Sequence, residues 1–196
     1  MEIWLIRHGE TDWNVSGRVQ GWTDIPLNAV GREQARRLAD YLEGVPFAHI
    51  YSSDLSRALD TAKAVAAKTG TPITTTKLLR EQHFGQAEGL QRADKERRFP
   101  NGAPGAETSQ DVERRIGTFL TDLTNSNHSG RFIVATHGGV IKGALRWVGM
   151  KNVPITNTSI TCLKFERGVF HVKAVNATPH LTSPTDSSTA GISQHG

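Results

Sequence analysis

Short apolar runs rich in β-branched residues alternate with longer segments of helical periodicity along the chain. The run EIWLIRH at 2–8 is too short for a buried helix and is rich in strand-forming residues, which favours a buried strand. By the same pattern we predict further strands at 47–54, 73–79, 131–137 and 159–176. The last of these segments has a turn signal near Arg167 and Gly168, which predicts two strands joined by a tight turn.

Between the strands, apolar residues recur at helical spacing. In the segment 27–45, Ala35, Leu38 and Leu42 share one face, Asn28 is a suitable N-cap, and Gly44 a suitable stop. Similar patterns predict helices at 55–70, 108–125 and 140–150. The segment 81–106 has no such pattern, and we expect it to be irregular.

Alternating strands and helices predict an α/β fold, a three-layer α/β/α sandwich on a mostly parallel sheet with an antiparallel edge. The pattern shows no internal repeat and no second domain. We therefore expect one domain over residues 1–181. Residues 182–196 are rich in Ser, Thr and Gly, which predicts a disordered tail.

The composition agrees with one globular domain, since 37% of the 196 residues are hydrophobic and 21% are charged. The net charge of +4 is a mild excess, and several cations have a carboxylate four positions earlier on a predicted helix. This spacing predicts surface ion pairs at Glu33–Arg37, Asp94–Arg98 and Asp111–Arg115. No basic patch interleaved with aromatic residues is present, so nucleic acid is not an expected partner.

No apolar stretch is long enough for a membrane span, and the first strand begins too early for a signal peptide. We therefore expect a cytoplasmic protein without a membrane partner. The single cysteine, Cys162, lies in an apolar strand-like run, which indicates a small core residue rather than a nucleophile. The sequence leaves a homodimer open.

Chemically active side chains follow the predicted strands. Arg7 and His8 follow the first strand, Arg57 the second, Glu81 the third, and His137 the fourth. In an open α/β sheet, ligands bind beyond the carboxyl ends of the strands, so these side chains are expected to converge. Two guanidiniums can hold a phosphate, one imidazole can attack phosphorus, and a carboxylic acid can protonate the leaving oxygen. The second imidazole can donate to the phosphoryl oxygens.

Other readings of the same residues stay open. Each of them taken alone is commonly a structural or solvated side chain. His8, His137 and Glu81 resemble a two-histidine, one-carboxylate metal set, although Arg7 and Arg57 would repel a dication. A serine triad is less favoured, because no G-x-S-x-G elbow is present.

Taken together, the segments LIRHGETDWN, GWTDIPLNAVGREQA, YSSDLSRALDTA, LLREQHFGQAEG, ATHGGVI and NATPHL resemble the histidine phosphatase superfamily, also called phosphoglycerate mutase-like, in the order that family shows. The resemblance covers roughly residues 1–181 and implies the phosphoglycerate mutase-like α/β fold. It implies a phosphoric monoester hydrolase of the histidine acid phosphatase type that acts on a small phosphate monoester. It implies neither a metal nor an organic cofactor.

The resemblance also implies roles by position. His8 would become phosphohistidine, and Glu81 would be the general acid and base. The phosphate pocket would be completed by Arg7, Arg57, His137 and Asn14. Positions matching the substrate pocket are Gln20 and Gly21, and the backbone at Gly9, Gly138 and Gly139 would allow an anion to approach closely.

The branch of the family is less defined. Residues 82–136 are compact and lack the arginine-rich insertion of the mutases, which favours hydrolysis over a cofactor-dependent phosphoglycerate mutase. The outline is closer to α-ribazole, broad-specificity and metal-independent phosphoserine phosphatases, although Ala87 replaces the tryptophan expected of ribazole-type members. We expect the basic segment 90–106 to read a second acidic group, with Arg97 and Arg98 as candidates. A non-catalytic phospholigand-binding module is the third hypothesis.

Overall fold

A six-stranded mixed sheet forms the centre of the molecule. The structure, a computed structural model, describes residues 1–126, 129–151 and 153–182. The strands are β1 (Glu2–Arg7), β2 (His49–Ser52), β3 (Ile73–Thr75), β4 (Arg131–Thr136), β5 (Ile160–Glu166) and β6 (Val169–Ala177). Their order across the sheet is β3-β2-β4-β1-β5-β6. The first four are parallel, and β5 and β6 form the antiparallel edge.

Helices cover both faces of this sheet. They are α1 (Asp12–Val15), α2 (Ala29–Leu42), α3 (Ser56–Thr69), α4 (Arg92–Arg98), α5 (Ser109–Asn125) and α6 (Gly138–Trp147). Because side chains alternate along a strand, Leu5 of β1 packs towards α5 and α6, while Ile6 packs towards α2 and α3. Two apolar clusters, one on each face, form the core. The predicted α/β sandwich with an antiparallel edge is confirmed.

The structure differs from the predicted elements in three places. The strand predicted at 73–79 ends at Thr75, because the Thr76 side chain accepts the N–H of Leu78 and starts a 3-10 turn at Lys77–Leu79. The segment 81–106, expected to be irregular, contains α4 and a 3-10 turn at Gly85–Ala87. The short helix α1 lies in a stretch where we predicted no element, and a capping box between Thr11 and Asn14 begins it.

Two of the three predicted ion pairs form with other partners. Glu33 does bind Arg37, with 3.0 Å between Oε1 and Nε. Asp94 binds Arg97 instead of Arg98, and Asp111 binds Arg114 instead of Arg115. Both carboxylates therefore pair with the cation three positions later in the sequence. Side chains three residues apart are neighbours on a helix surface, as are those four residues apart.

Other expectations concern single residues and the chain end. Cys162 is buried, as predicted, and burial raises the pKa of its thiol. The tail predicted beyond residue 181 lies outside the described residues except for Thr182. In the described part of the chain, no helix is long and apolar enough to cross a bilayer.

The first turn of α2 packs directly on the loop that follows β1. The Asn28 side chain accepts the N–H of Gly31 and so caps the helix, and the backbone N–H of Asn28 donates to the carbonyl of Glu10. A Cβ added to Gly31 would overlap the Glu10 carbonyl oxygen, and one added to Gly9 would overlap the Gly31 carbonyl oxygen. Because neither Gly9 nor Gly31 has a Cβ, the backbone of α2 and that of the loop after β1 can lie in direct contact.

Replacing Gly31 by alanine tests this close approach. Helix propensity alone would favour alanine by about 1 kcal/mol. We expect the backbone overlap to outweigh this gain, so that Gly31→Ala lowers the free energy of unfolding by about 1–3 kcal/mol. Urea denaturation measures the change, with the exposed neighbour Val30→Ala as the control. Equal stability of the two variants would contradict the packing described here.

Candidate active site

A cavity of about 590 Å³ opens at the carboxyl ends of the parallel strands. The neighbouring strands β1 and β4 end at Arg7 and Thr136, so His8 and His137 follow them side by side. Their ring centroids are 5.1 Å apart. The predicted residues that line this cavity are Arg7, His8, Asn14, Gln20, Gly21, Arg57, Glu81, Gly138 and Gly139.

The imidazole of His8 is held in one tautomer. Its Nδ1 lies 2.6 Å from the carbonyl oxygen of Gly9, and a carbonyl can only accept, so Nδ1 carries the proton. Nε2 is therefore left with a lone pair, and it has no hydrogen-bond partner among the described residues. Burial, followed by the positive charges of Arg57 and Arg7, holds the pKa of His8 well below its usual value. At neutral pH the ring is an uncharged base with Nε2 free.

Two guanidiniums at the cavity have backbone carbonyls, not carboxylates, as partners. Arg57 is fully buried and donates from Nη1 to the carbonyl of Thr23 at 3.1 Å and from Nη2 to that of Gly21 at 2.7 Å. Its Nε is buried with no hydrogen-bond partner within the described ranges. Arg7 donates from Nη1 to the carbonyl of Ile155 at 2.6 Å. Both guanidiniums keep a full positive charge and N–H groups available to an anion.

The loop that receives the Arg57 guanidinium is held by Glu88. This carboxylate accepts the backbone N–H groups of Trp22, Thr23 and Phe84 at 2.8–3.1 Å, and the Thr23 hydroxyl at 2.6 Å. Burial alone would raise the pKa of Glu88, but these hydrogen bonds outweigh it and lower the pKa. Gly21 has a φ of +58°, and a Cβ there would overlap the Glu88 carboxylate. Glycine at 21 is thus a requirement of this contact.

His137 lies behind the cavity surface and is fully buried. Its Nε2 is 2.9 Å from the Ser53 hydroxyl, which also accepts the N–H of Leu55 at 3.3 Å. The serine hydroxyl can donate its own proton to Nε2, and the tautomer with the ring proton on Nδ1 fits this contact. Nδ1 is buried without a partner in the described part of the chain. Burial, and then the charge of Arg57, holds the pKa of His137 well below its usual value.

Glu81 faces the N-terminus of α6. Its Oε2 accepts the N–H of Gly139 at 3.3 Å, and its Oε1 accepts the N–H of Gln82 at 2.8 Å. The Glu81 carbonyl is fixed by the Trp22 indole at 2.7 Å and by Nη2 of Arg115 at 2.9 Å. The backbone at this position is therefore anchored on two sides, while the carboxylate lines the cavity.

The side-chain oxygens of two amide residues at the cavity, Asn14 and Gln20, already accept hydrogen bonds from within the protein. Oδ1 of Asn14 accepts the N–H of Thr11 at 3.1 Å and Nδ2 of Asn157 at 3.3 Å. Oε1 of Gln20 accepts the Thr11 hydroxyl at 3.0 Å. With the oxygens occupied, the amide N–H groups are the donors that remain at the cavity wall.

Comparison with known proteins agrees with this geometry. The profile of the Histidine phosphatase superfamily (branch 1) matches residues 3–178. The chain belongs to this family. The histidine phosphatase described here is 38% identical over 185 residues to phosphoglycerate mutase-like protein 4 of Arabidopsis thaliana, a match that covers 85% of this chain and 80% of the relative.

Phosphatases are among the similar proteins. A broad-specificity phosphatase of Saccharomyces cerevisiae is 31% identical over 92% of this chain and 87% of its own. A phosphoserine phosphatase mutant of Entamoeba histolytica, solved in complex with phosphoserine, superposes with a TM-score of 0.82 at 30% identity, covering 92% of this chain and 99% of that one. Family and relatives together support phosphatase activity for this histidine phosphatase.

A segment near the C-terminus holds the backbone of the His8 loop in the histidine phosphatase. The backbone N–H of Thr158 donates to the carbonyl of Arg7 at 3.0 Å, and Nδ2 of Asn157 donates to that of His8 at 3.0 Å. Thr158 has a φ of +54°, a strained conformation for a β-branched residue. His180 lies 3.0 Å from the Thr158 hydroxyl through its Nε2.

Sequence reasoning missed Asn157, Thr158 and Glu88 as parts of the site. His180 belongs to the segment NATPHL, which resembles the family but to which the resemblance assigns no role. That segment was therefore the one available signal, and the structure places it behind the loop that carries His8. The strained backbone of Thr158 leaves no local pattern in the sequence. The same holds for the hydrogen bond between Asn157 and His8, which lie more than 140 residues apart in the chain.

The basic segment contributes other cations than expected. Arg92 and Lys95 of α4 line the cavity. Arg97 binds Asp94 outside it, with 77% of its side chain exposed, and the Arg98 guanidinium lies over the Phe99 ring. The expectation that a cation of this segment faces the cavity thus applies to Arg92 and Lys95, and Arg97 and Arg98 are not brought to it.

The buried histidines predict how stability depends on pH. Burial lowers the pKa of His180 to about 4, while the unfolded chain has the ordinary value near 6.5. Below that value the unfolded state binds protons that the folded state does not, so stability falls as the pH falls from about 6.5 to 4. The lowered pKa values of His8 and His137 likewise reduce stability as the pH falls. We expect the free energy of unfolding of His180→Gln to fall less steeply with pH in this range than that of wild type, as measured by urea denaturation at several pH values. An unchanged slope would contradict the buried, neutral state of His180.

Proposed function

We propose that this protein is a phosphomonoesterase that hydrolyses a small phosphorylated metabolite through a phosphohistidine on His8. One observation carries the proposal: two guanidiniums, those of Arg7 and Arg57, lie without carboxylate partners beside an uncharged imidazole with Nε2 free. Two fixed cations match the charge of a phosphate dianion, and a free Nε2 beside them is a nucleophile.

The substrate phosphate would occupy the space between these groups. Arg7 and Arg57 would bind its oxygens, with the amide N–H groups of Asn14 and Gln20 and the backbone around Gly21 and Gly138 completing the pocket. In the tautomer with the ring proton on Nδ1, His137 would donate a further hydrogen bond. These donors are fixed before the ligand arrives, so they stabilise the charge on the phosphoryl oxygens without reorganising.

The chemistry then proceeds in two steps. Nε2 of His8 forms a bond to phosphorus as the bond to the ester oxygen breaks, and Glu81 transfers its proton to that oxygen to release the alcohol. In the second step Glu81 accepts a proton from water, the water oxygen binds phosphorus, and the P–N bond breaks. Free phosphate leaves, and His8 and Glu81 return to their initial states.

Two other functions use the same pocket. A phosphoglycerate mutase would need to transfer the phosphoryl group from the enzyme to another hydroxyl of the substrate. The Arabidopsis relative is named as phosphoglycerate mutase-like, so this reaction is tested as the alternative. The compact segment 82–136 favours hydrolysis. A non-catalytic phospholigand module would bind phosphate esters and transfer nothing, which the presence of both His8 and Glu81 disfavours.

Substitution of the nucleophile tests the intermediate. His8→Ala should lose at least 10³-fold in kcat for p-nitrophenyl phosphate while remaining folded, because the covalent step is removed. Wild type mixed with labelled substrate and quenched should hold acid-labile phosphate that His8→Ala does not hold, and EDTA should not reduce the rate. Full activity in His8→Ala would refute the mechanism, and isomerisation of phosphoglycerate in the presence of bisphosphoglycerate would indicate the mutase.

Substitution of the acid separates its role from binding. Glu81→Gln retains size and hydrogen bonding but has no proton to transfer. We expect kcat for an alkyl phosphate to fall by about 10²–10⁴-fold. With p-nitrophenyl phosphate, whose leaving group needs no proton, the first step should fall much less and a phosphoenzyme should accumulate. An equal loss of phosphoenzyme formation with both substrates would contradict the assignment of Glu81 as the acid.

A further inference from the structure

An ion pair removed from water lies behind the segment that carries Glu81, and neither of its side chains lines the cavity. Arg115 and Glu107 bind each other through two contacts of 3.0 Å, from Nε to Oε1 and from Nη2 to Oε2. Their side chains are 13% and 21% exposed, whereas the preceding residue, Arg114, is 73% exposed. Such a pair adds little net stability, because the cost of desolvation offsets much of the attraction.

The other contacts of this pair are with the backbone on both sides of Glu81. Nη1 of Arg115 donates to the carbonyl of Leu78 at 2.7 Å, and Nη2 donates to the carbonyl of Glu81 at 2.9 Å. Oε2 of Glu107 accepts the backbone N–H of His83 at 2.8 Å. The ion pair therefore fixes the chain before, at and after Glu81.

The Glu81 carboxylate itself lies against a second helix, α6. Its Oε2 accepts the N–H of Gly139, and a Cβ added to Gly139 would overlap its Oε1. Helix α6 packs closely on α5, since a Cβ added to Gly143 would lie 3.3 Å from Cγ1 of Val112. Helix α5 thus binds the backbone of Glu81 through Arg115, while α6 receives the carboxylate, and the packing of the two helices fixes one relative to the other.

We propose that Arg115, held by Glu107, is a positioning residue for the general acid, which places the Glu81 carboxyl within reach of the leaving-group oxygen without touching the substrate. This inference rests on the proposed function, since it takes Glu81 as the acid. A guanidinium suits this role because its planar fork donates to several acceptors in fixed directions. Precision matters here, because misplacing a reacting group by about 1 Å can cost about 10²-fold in rate.

Arg115→Lys tests the fork while retaining the charge. An ammonium group does not reproduce the fixed directions in which the guanidinium donates to two carbonyls and a carboxylate, so the Glu81 backbone is held less precisely. Burial is the main cause of the low pKa of His137, but the charge of Arg115 contributes, and the lysine retains it. The Trp22 indole still donates to the Glu81 carbonyl, so we expect a smaller loss than in Glu81→Gln.

Leaving groups distinguish positioning from a structural role. An alkyl phosphate needs a proton on its leaving oxygen, and p-nitrophenyl phosphate does not. For Arg115→Lys we expect kcat/KM to fall by about 10–100-fold with the alkyl phosphate and to stay near the wild-type value with p-nitrophenyl phosphate. The ratio of the two values does not depend on the folded fraction of the sample. Equal losses with both substrates, or no loss with either, would overturn the inference.

Glu107→Gln is a second variant that keeps the shape of the pair and weakens its hold on Arg115. It should shift the ratio in the same direction, and it decides by the same criterion if Arg115→Lys does not fold. Glu2→Gln is the matched control, because Glu2 binds Arg131 at 2.8 Å where β1 and β4 begin, at the end of the sheet away from the cavity. A shift in Glu2→Gln as large as that in Glu107→Gln would refute the inference.

A double variant shows whether Arg115 acts through Glu81. On the Glu81→Gln background no proton is left to place, so Arg115→Lys should cause no further loss with the alkyl phosphate, and additive losses would overturn the inference. If Glu81→Gln changes the ratio as proposed and Arg115→Lys does not, the inference alone is wrong. If Glu81→Gln itself leaves the ratio unchanged, Glu81 is not the acid, and the proposed mechanism fails together with the inference.

Discussion

The burial of the Arg57 guanidinium without an ion-pair partner among the described residues is the constraint on which much of the site depends. A buried cation is costly unless its N–H groups are satisfied and an opposite charge lies near. Here the carbonyls of Gly21 and Thr23 satisfy part of it, so the loop that carries them must hold its shape. Glu88 does this by accepting two N–H groups of that loop, and Gly21 makes room for the carboxylate.

The same positive charge has a second consequence at the two histidines. Burial is the main cause of the low pKa of both His8 and His137, and the charge of Arg57 is the next largest. A cation that favours binding of a phosphate dianion therefore also disfavours protonation of the imidazole beside it. In the proposed mechanism, one arrangement would thus both attract the phosphate and keep the His8 ring uncharged with Nε2 free, and no separate base would be needed to deprotonate the ring.

The sequence predicted the inner part of the site well, because its placement follows from sheet topology. Parallel neighbours β1 and β4 bring Arg7, His8 and His137 to one edge once the strands are recognised. The family resemblance added Asn14 and Gln20, which no periodicity marks. Glu88 and Thr158 were out of reach, since each acts through backbone groups that are distant in the chain.

The outer part of the site was predicted less well for a different reason. Helix α4 is short, buries none of its residues, and has no apolar stripe from which its orientation could be derived. Which of its cations faces the cavity is decided by tertiary contacts, and the pattern of charges indicated only that the segment is basic. Arg97 pairs with the carboxylate three positions earlier, which leaves Arg92 and Lys95 as the helix's cations at the cavity.

The inner and outer residues of the site also differ in their electrostatic environment. The inner groups act in a low-dielectric environment, where one charge is strongly felt by its neighbours. On the outer surface, salt screens charges over about 8–10 Å, and an exposed ion pair such as Arg97–Asp94 contributes little at a distance. In the proposed function, recognition of the rest of the substrate would therefore depend on the cations that line the cavity, not on the mild positive charge of the whole chain.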